Sequence, residues 1–110
     1  MEMEIARGQM IRQQIRPAEV LDGHVLQIFS ELARDEFVPA KYQELAYADT
    51  QIPLAHGECM MMPSVEGRLL QALDVKASDS VLEIGTGSGY LTACLGKLGV
   101  RVTSIVGPGA

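Results

Sequence analysis

The feature that most constrains the fold of this chain is a predicted strand, followed by a turn with three alternating glycines and then by a predicted helix. The segment 81–84, apolar except for Glu83, suits a buried strand. Gly85, Gly87 and Gly89 follow at alternate positions, and a helix-like segment begins at Tyr90. Such a turn leaves backbone N–H groups free at the positive end of the helix dipole, where anionic or polar ligands bind. Glycine is needed where the backbone takes positive φ or approaches a ligand closely. The pattern predicts a ligand site at the carboxyl end of a strand in an α/β sheet.

The glycine spacing narrows the kind of ligand. A dinucleotide fingerprint has glycines at its first, third and sixth positions, and the sixth position here is Tyr90. A phosphate-binding P-loop ends in Gly-Lys-Ser/Thr, which the sequence lacks. The remaining pattern, E-x-G-x-G-x-G from Glu83 to Gly89, resembles the first motif of S-adenosylmethionine-dependent methyltransferases. A tight strand–helix turn without a ligand is the alternative interpretation.

This resemblance implies a cofactor and the residues that hold it. In these methyltransferases the glycine turn wraps the methionine part of S-adenosylmethionine, and the acidic residue helps to hold the cofactor's amino group. The cofactor-binding residues implied in this way are Glu83, Gly85, Thr86, Gly87, Ser88 and Gly89.

Further segments resemble one methyltransferase family, the protein-L-isoaspartate O-methyltransferases, in order and approximate spacing. They are residues 10–15, 37–39, 46–49, 52–54 and 81–90. The resemblance extends over residues 10–105 and over the first half of the family's usual length. It implies methylation of the carboxyl group of L-isoaspartate in damaged proteins or peptides, which is a protein-repair activity.

The segment before Pro63 departs from that family. Counting back from Pro63 places Met61 where the family has a serine at the reactive centre, and Cys59 where it has a threonine. Methionine has no hydroxyl and only a weakly accepting thioether, so Met61 is expected to impair the isoaspartyl chemistry. The same alignment puts Cys59 and Met60 beside the cofactor. With no cationic neighbour to activate it, Cys59 is expected to be packed and unreactive.

A second departure lies at the end of the last strand. Related methyltransferases place an acidic residue there to bind the ribose hydroxyls of the cofactor, whereas this chain has Val106. Because a valine side chain accepts no hydrogen bond, we expect weakened cofactor binding.

Two residues are implied in the substrate cleft by the resemblance. These are Tyr47 and Asp49, within the segment Tyr47-Ala48-Asp49. The alternative is a turn led by Asp49 with a packed tyrosine beside it, and the sequence favours neither interpretation.

Hydrophobic periodicity and turn residues predict an α/β chain with N-terminal helices and an incomplete parallel β-α-β sheet. The resemblance implies that these elements form a partial Rossmann-like methyltransferase fold. Asp22 is the expected N-cap of the second helix and Ser64 that of the third, whose apolar side carries Val65, Leu69 and Leu73. The predicted elements are helices over 4–16, 22–34 and 64–73, a helical turn over 40–43, loop and short strands over 45–62, a strand over 80–84, a helix over 90–98 and a strand over 101–105. The predicted divisions are a helical and loop region at 1–79, a β-α-β unit at 80–106 and a tail at 107–110.

The composition of the chain argues against several classes of binding partner. The formal net charge of -5 argues against a surface that binds nucleic-acid phosphates. The cluster of Arg7, Arg12 and Arg16 is interpreted as a solvated helix face. No metal is expected because the histidines and cysteines show no ligand-like spacing, and no apolar run approaches membrane-spanning length. Two unpaired cysteines suit a cytoplasmic protein.

Two functional classes remain open. One is a methyltransferase of the isoaspartate-repair family, truncated or impaired here, and the other is a non-catalytic relative that acts as a binding or interaction module. Because parallel sheets are normally covered on both faces, a sheet of two parallel strands is expected to leave open edges and to favour self-association.

Overall fold

The helices and strands follow the predicted order closely. The computed structural model describes residues 2–85 and 87–105. Its elements are α1 (Met3–Met10), α2 (Gly23–Glu31), β1 (Ile52–Pro53), β2 (Cys59–Met60), α3 (Pro63–Leu73), β3 (Ser80–Ile84), α4 (Tyr90–Lys97) and β4 (Arg101–Ile105), with a π-helical turn at Ile11–Ile15 and 3₁₀ turns at Arg16–Ala18, Arg34–Phe37, Ala40–Leu45 and Ala55–Gly57. The strands form two pairs, β1 with β2 antiparallel and β3 with β4 parallel.

The N-terminal helix is less regular than predicted. The α-helical part ends at Met10, the next turn is π-helical, and a 3₁₀ turn that contains Pro17 carries the chain to Ala18. Glu19 then takes a left-handed conformation with φ of 68°, which ends the helix. Met10 and Ile15 are fully buried, so the irregular segment still supplies the core.

Helix α2 begins as predicted and ends early. The Asp22 side chain accepts hydrogen bonds from the backbone N–H groups of His24 (2.9 Å) and Val25 (3.2 Å), which confirms the predicted N-cap. The prediction that the helix reaches residue 34 is wrong, because Leu32 is extended and the chain turns inward there. The turn carries Arg34 into the protein interior.

The buried face of α3 is not the predicted one. The stripe of Val65, Leu69 and Leu73 is 37–47% exposed, whereas Glu66, Gly67 and Leu70 are buried. Glycine at position 67 permits this packing, since a Cβ there would lie 3.1 Å from a methyl group of Val20 and 3.4 Å from the ring of Phe29. Close backbone approach therefore decides which face of α3 turns inward.

The start of α3 also differs from the prediction. Met62 occupies the N-cap position and makes no side-chain cap bond. Ser64 lies inside the helix, and its hydroxyl donates to Asp49 at 2.8 Å. Pro63 at the first helical position explains the shift, because its fixed φ suits a helix start and its missing N–H needs no cap.

The parallel pair has one covered face and one open face. Val81 and Glu83 of β3, with their neighbours Val102 and Ser104 of β4, are partly buried. The opposite face carries apolar side chains that are 50–77% exposed, namely Leu82, Ile84 and Ile105. Within the described residues, this sheet is thus a β-α-β unit with helices on one side.

One buried cluster links the two larger divisions predicted from the sequence. It runs from Met10 and Phe29 through Ile52 and Leu70 to Tyr90 and Val100, and so draws on both 1–79 and 80–106. The predicted tail, 107–110, lies outside the described residues.

Candidate functional site

The glycine turn has the geometry that its sequence predicts. Gly85, Gly87 and Gly89 take positive φ values of 79°, 61° and 86°. A Cβ added at Gly85 or Gly89 would meet no atom within 4 Å, and one at Gly87 would meet only the Leu54 side chain at 3.6 Å. The turn requires glycine for its backbone conformation and leaves open space in front of it.

A small cavity of about 80 Å³ lies against this turn. Its lining brings together six of the residues that the resemblance assigned to the cofactor, namely Cys59, Met60, Glu83, Gly85, Gly87 and Ser88. Met61, aligned with the family's catalytic serine, also lines it, as do Leu54, Glu66 and Leu91. Gly89 is the N-cap of α4 and does not line the cavity. Thr86 and Val106 lie outside the described residues.

The carboxylate of Glu83 is held in place by two hydroxyl groups. The Thr92 hydroxyl, in the first turn of α4, and the Ser104 hydroxyl on β4 (2.9 Å) both donate to Glu83 Oε1. These bonds leave the carboxylate with a fixed orientation at the end of β3. A fixed carboxylate beside a turn that presents backbone N–H groups suits a ligand that carries both an ammonium and a carboxylate.

Residues Tyr47 and Asp49 do not line this cavity. The Tyr47 side chain is buried, and its hydroxyl accepts from Arg7 Nε (3.1 Å) and donates to Asp35 (2.7 Å). Asp49 accepts from the Ser64 N–H and hydroxyl groups. The packed-tyrosine alternative describes this environment, and a substrate role for either residue stays a prediction.

The cysteine and arginine predictions need correction. Cys59 is exposed, not packed, because strand β2 turns it outward while Met60 points into the core. Arg12 and Arg16 are exposed as expected, but Arg7 is half-buried and lies over the Tyr47 ring with its guanidinium carbon 5.8 Å from the ring centroid.

Sequence reasoning missed the most deeply buried charged pair, Arg34 and Glu66. Arg34 is fully buried, donates through Nε to the Ala46 carbonyl (2.8 Å) and through one terminal nitrogen to the Met61 carbonyl (2.9 Å), and bonds to Glu66 through the other. Its guanidinium also lies 4.7 Å from the centroid of the Tyr90 ring. No sequence signal marks this pair, since Glu66 reads as an ordinary acidic residue in the first turn of a helix.

Burial governs the acid–base properties around the pair. Burial raises the pKa of Glu66 to about 7, and the Arg34 guanidinium offsets only part of that effect. Burial likewise raises the pKa of the Cys94 thiol to about 12 and raises the pKa of the Tyr90 hydroxyl. That hydroxyl is a buried polar group without a hydrogen-bond partner among the described residues. The Cys94 thiol and the Tyr90 hydroxyl therefore remain neutral at physiological pH.

Comparison with known proteins identifies the family. The family model of protein-L-isoaspartate(D-aspartate) O-methyltransferase (PCMT) matches residues 6–108. The chain belongs to this family. A relative from Koribacter versatilis, named protein-L-isoaspartate O-methyltransferase, is 39% identical over 90% of this chain and 45% of its own length. One of the same name from Paracoccus denitrificans is 44% identical over 83% of this chain and 42% of its own length. The chain spans less than half the length of these relatives.

A solved structure supports the fold assignment. The crystal structure of a putative protein-L-isoaspartate O-methyltransferase from Plasmodium falciparum, in complex with S-adenosyl-L-homocysteine, matches with a TM-score of 0.74 at 21% sequence identity. The match covers 96% of this chain and 49% of that protein. The chain thus forms part of an α/β Rossmann-like methyltransferase fold. Among residues 2–85 and 87–105, no helix is long and apolar enough to cross a bilayer.

The raised pKa of Glu66 predicts an unusual pH dependence of stability. The native carboxyl binds its proton more tightly than the unfolded one, whose pKa is 4.5. The stabilisation is therefore complete below pH 4.5 and is lost as pH rises to about 7. Relative to Glu66→Gln, the free energy of unfolding of the wild type should fall by about 3 kcal/mol over this range. Urea denaturation of both chains between about pH 4 and pH 8.5 measures the difference. A difference independent of pH would contradict the assignment.

Proposed function

We propose that this chain forms the cofactor-binding N-terminal part of an S-adenosylmethionine-dependent protein-L-isoaspartate O-methyltransferase. The observation that carries the proposal is the cavity where the glycine turn and Glu83 face the segment from Cys59 to Met61. The family membership of residues 6–108 supports it.

The described residues suit the methionine end of the cofactor. Glu83 is an acceptor for the ammonium group, the open space before Gly85 and Gly87 admits a ligand, and the cavity of about 80 Å³ matches an amino-acid-sized group better than a nucleoside. When bound, S-adenosylmethionine supplies a methyl group already activated by its sulfonium. The protein's contribution is then mainly to orient the acceptor carboxylate toward that methyl group.

We further propose that the chain by itself binds the cofactor without transferring the methyl group. Met61 lines the cavity at the position where the family resemblance implies a serine hydroxyl. Its thioether cannot donate a hydrogen bond to an acceptor carboxylate. A non-catalytic binding module is the second candidate function, and Met61 is the observation that favours it.

Substitution of the turn glycine tests the cofactor proposal. Gly85→Ala places a Cβ in the space assigned to the ligand, whereas Gly57→Ala imposes the same kind of strain at a φ of 73° on an exposed loop with no atom within 4 Å. Each substitution costs about 1–2 kcal/mol of folding energy because L residues disfavour positive φ. Calorimetric titration with S-adenosylhomocysteine should show affinity lowered by about tenfold or more only for Gly85→Ala.

A second expectation concerns the affinity of the wild-type chain for S-adenosylhomocysteine. Because Val106 offers no acceptor to the ribose, the dissociation constant should be about micromolar or weaker. Equal losses of affinity in Gly85→Ala and Gly57→Ala, or no binding by the wild type, would refute the proposed site. Sub-micromolar binding would show that Val106 does not limit affinity.

A methyl-transfer assay tests the role of Met61. We expect no transfer of radiolabelled methyl from S-adenosylmethionine to an isoaspartyl peptide by the 110-residue chain. In a chimera with the C-terminal half of the Paracoccus denitrificans relative, Met61→Ser should raise activity because it supplies the hydroxyl. Met62→Ser is the matched control one residue away. Turnover by the unmodified chain, or equal gains from both substitutions, would refute the assignment of Met61.

The proposed acceptor is a damaged protein or peptide that carries L-isoaspartate, as the family name implies. We propose a cytoplasmic location, consistent with the free thiols of Cys59 and Cys94. The net charge of -5 supports a protein rather than a nucleic-acid partner.

We also propose that copies of the chain associate through the open sheet. Leu82, Ile84 and Ile105 form an exposed apolar face beside strand edges, and a two-fold pairing would bury both. Light scattering over a dilution series should show dimers or larger species. Ile84→Lys (wild-type Ile84 is 77% exposed) should shift the chain toward monomer, whereas Leu21→Lys (Leu21 is 62% exposed, outside the sheet) should not. A wild type that stays monomeric at micromolar concentration would refute this proposal.

A further inference from the structure

The proposed cofactor cavity has two walls that come from separate parts of the chain. One wall is the glycine turn after β3. The other is formed by Leu54, Cys59 and Met60 of the β1–β2 hairpin and by Met61, which directly follows it. The hairpin is short, with only two paired positions, so its own hydrogen bonds give it little rigidity. Its position relative to the turn must be fixed by contacts from outside the hairpin.

The buried Arg34 guanidinium supplies such contacts. It donates to the carbonyl of Ala46, before the hairpin, and to the carbonyl of Met61, directly after it. It also bonds to Glu66, which lines the cavity from α3. Arg34 itself does not line the cavity.

The same guanidinium reaches the other wall. Its central carbon lies 4.7 Å from the centroid of the Tyr90 ring, and Tyr90 is the first residue of α4, directly after the glycine turn. Phe37 contacts the same ring edge-on, with 5.5 Å between the centroids. One fully buried side chain therefore contacts both flanks of the hairpin, the adjoining helix and the start of the helix that follows the turn.

We propose that Arg34 is a positioning residue for the cofactor site, which sets the location of the Met61 segment relative to the glycine turn. The proposal rests on the proposed function for the identity of the ligand. Arginine suits the role because its planar fork offers five donors in fixed directions, enough for two carbonyls and a carboxylate at once. A lysine keeps the charge, but its three donors share one nitrogen, whereas Arg34 reaches its three acceptors through three separate nitrogens. A lysine therefore cannot hold all three acceptors in place.

The test compares Arg34→Lys with Arg7→Lys. Arg7 is a matched control, because it also lies over a tyrosine ring and forms hydrogen bonds, but its partners, Tyr47 and Ser30, do not line the cavity, whereas Arg34 bonds to Met61 and Glu66, which do. Hydrogen exchange should accelerate by about tenfold or more at residues 59–62 in Arg34→Lys, relative to strands β3 and β4, since the carbonyl contacts are lost. Affinity for S-adenosylhomocysteine should fall by about tenfold in the same variant. Arg7→Lys should change neither quantity.

A role in global stability alone predicts a different result. Uniform acceleration of exchange across 59–62, β3 and β4 would overturn the proposal, and so would unchanged exchange at 59–62 in Arg34→Lys. If the wild type does not bind S-adenosylhomocysteine, the proposed function fails, while the exchange comparison still decides the role of Arg34.

A second variant keeps the test decisive if Arg34→Lys does not fold. Replacing a buried ion pair by apolar side chains of similar volume is often neutral or stabilising, so Arg34→Met with Glu66→Met should remain folded. Its exchange at 59–62 is compared with that of Glu66→Gln, which keeps an acceptor for the guanidinium and retains both carbonyl contacts. Faster exchange at 59–62 in the double variant supports the proposal, and equal exchange in the two overturns it.

Discussion

A guanidinium group with no access to solvent joins the segments that surround the cavity. Arg34 can be buried only because each direction of its fork finds an acceptor, two of them main-chain carbonyls. An unpaired charge in that position would cost several kcal/mol. Helix α2 stops at Glu31 and the chain becomes extended at Leu32, and this change of direction brings Arg34 inward.

Burial of the Arg34–Glu66 pair removes two charged groups from water, which carries a large desolvation cost. Burial disfavours the ionised carboxyl so strongly that its pKa lies near physiological pH, despite the adjacent guanidinium. Hydrophobic residues would fill the same volume at lower cost. What they could not do is donate hydrogen bonds to the carbonyl oxygens of Ala46 and Met61, and so fix their positions. The polar pair thus fixes the positions of the Ala46 and Met61 segments more closely than apolar side chains would.

Predictability from sequence depends on whether the deciding interaction is local. The glycine turn and the Asp22 cap were predictable because positive φ and capping are properties of a few adjacent residues. The inward face of α3 was not, because Leu69 fits the helical period of an apolar face and only the close approach at Gly67 turns it outward. The pairing of Arg34 with Glu66, 32 residues apart, leaves no trace in either neighbourhood. Most of the cavity lining came instead from family resemblance.

The two hydroxyl groups on Glu83 have a consequence for how the sequence can vary. Thr92 lies on α4 and Ser104 on β4, yet both donate to the same carboxylate oxygen of β3. Loss of either hydroxyl would free the carboxylate to rotate, and loss of the carboxylate would leave two hydroxyls without their acceptor. The three positions are therefore expected to vary together, because a substitution at one of them removes a hydrogen-bond partner of the others. Homologues that replace the acid should carry matching changes on the helix and on the neighbouring strand.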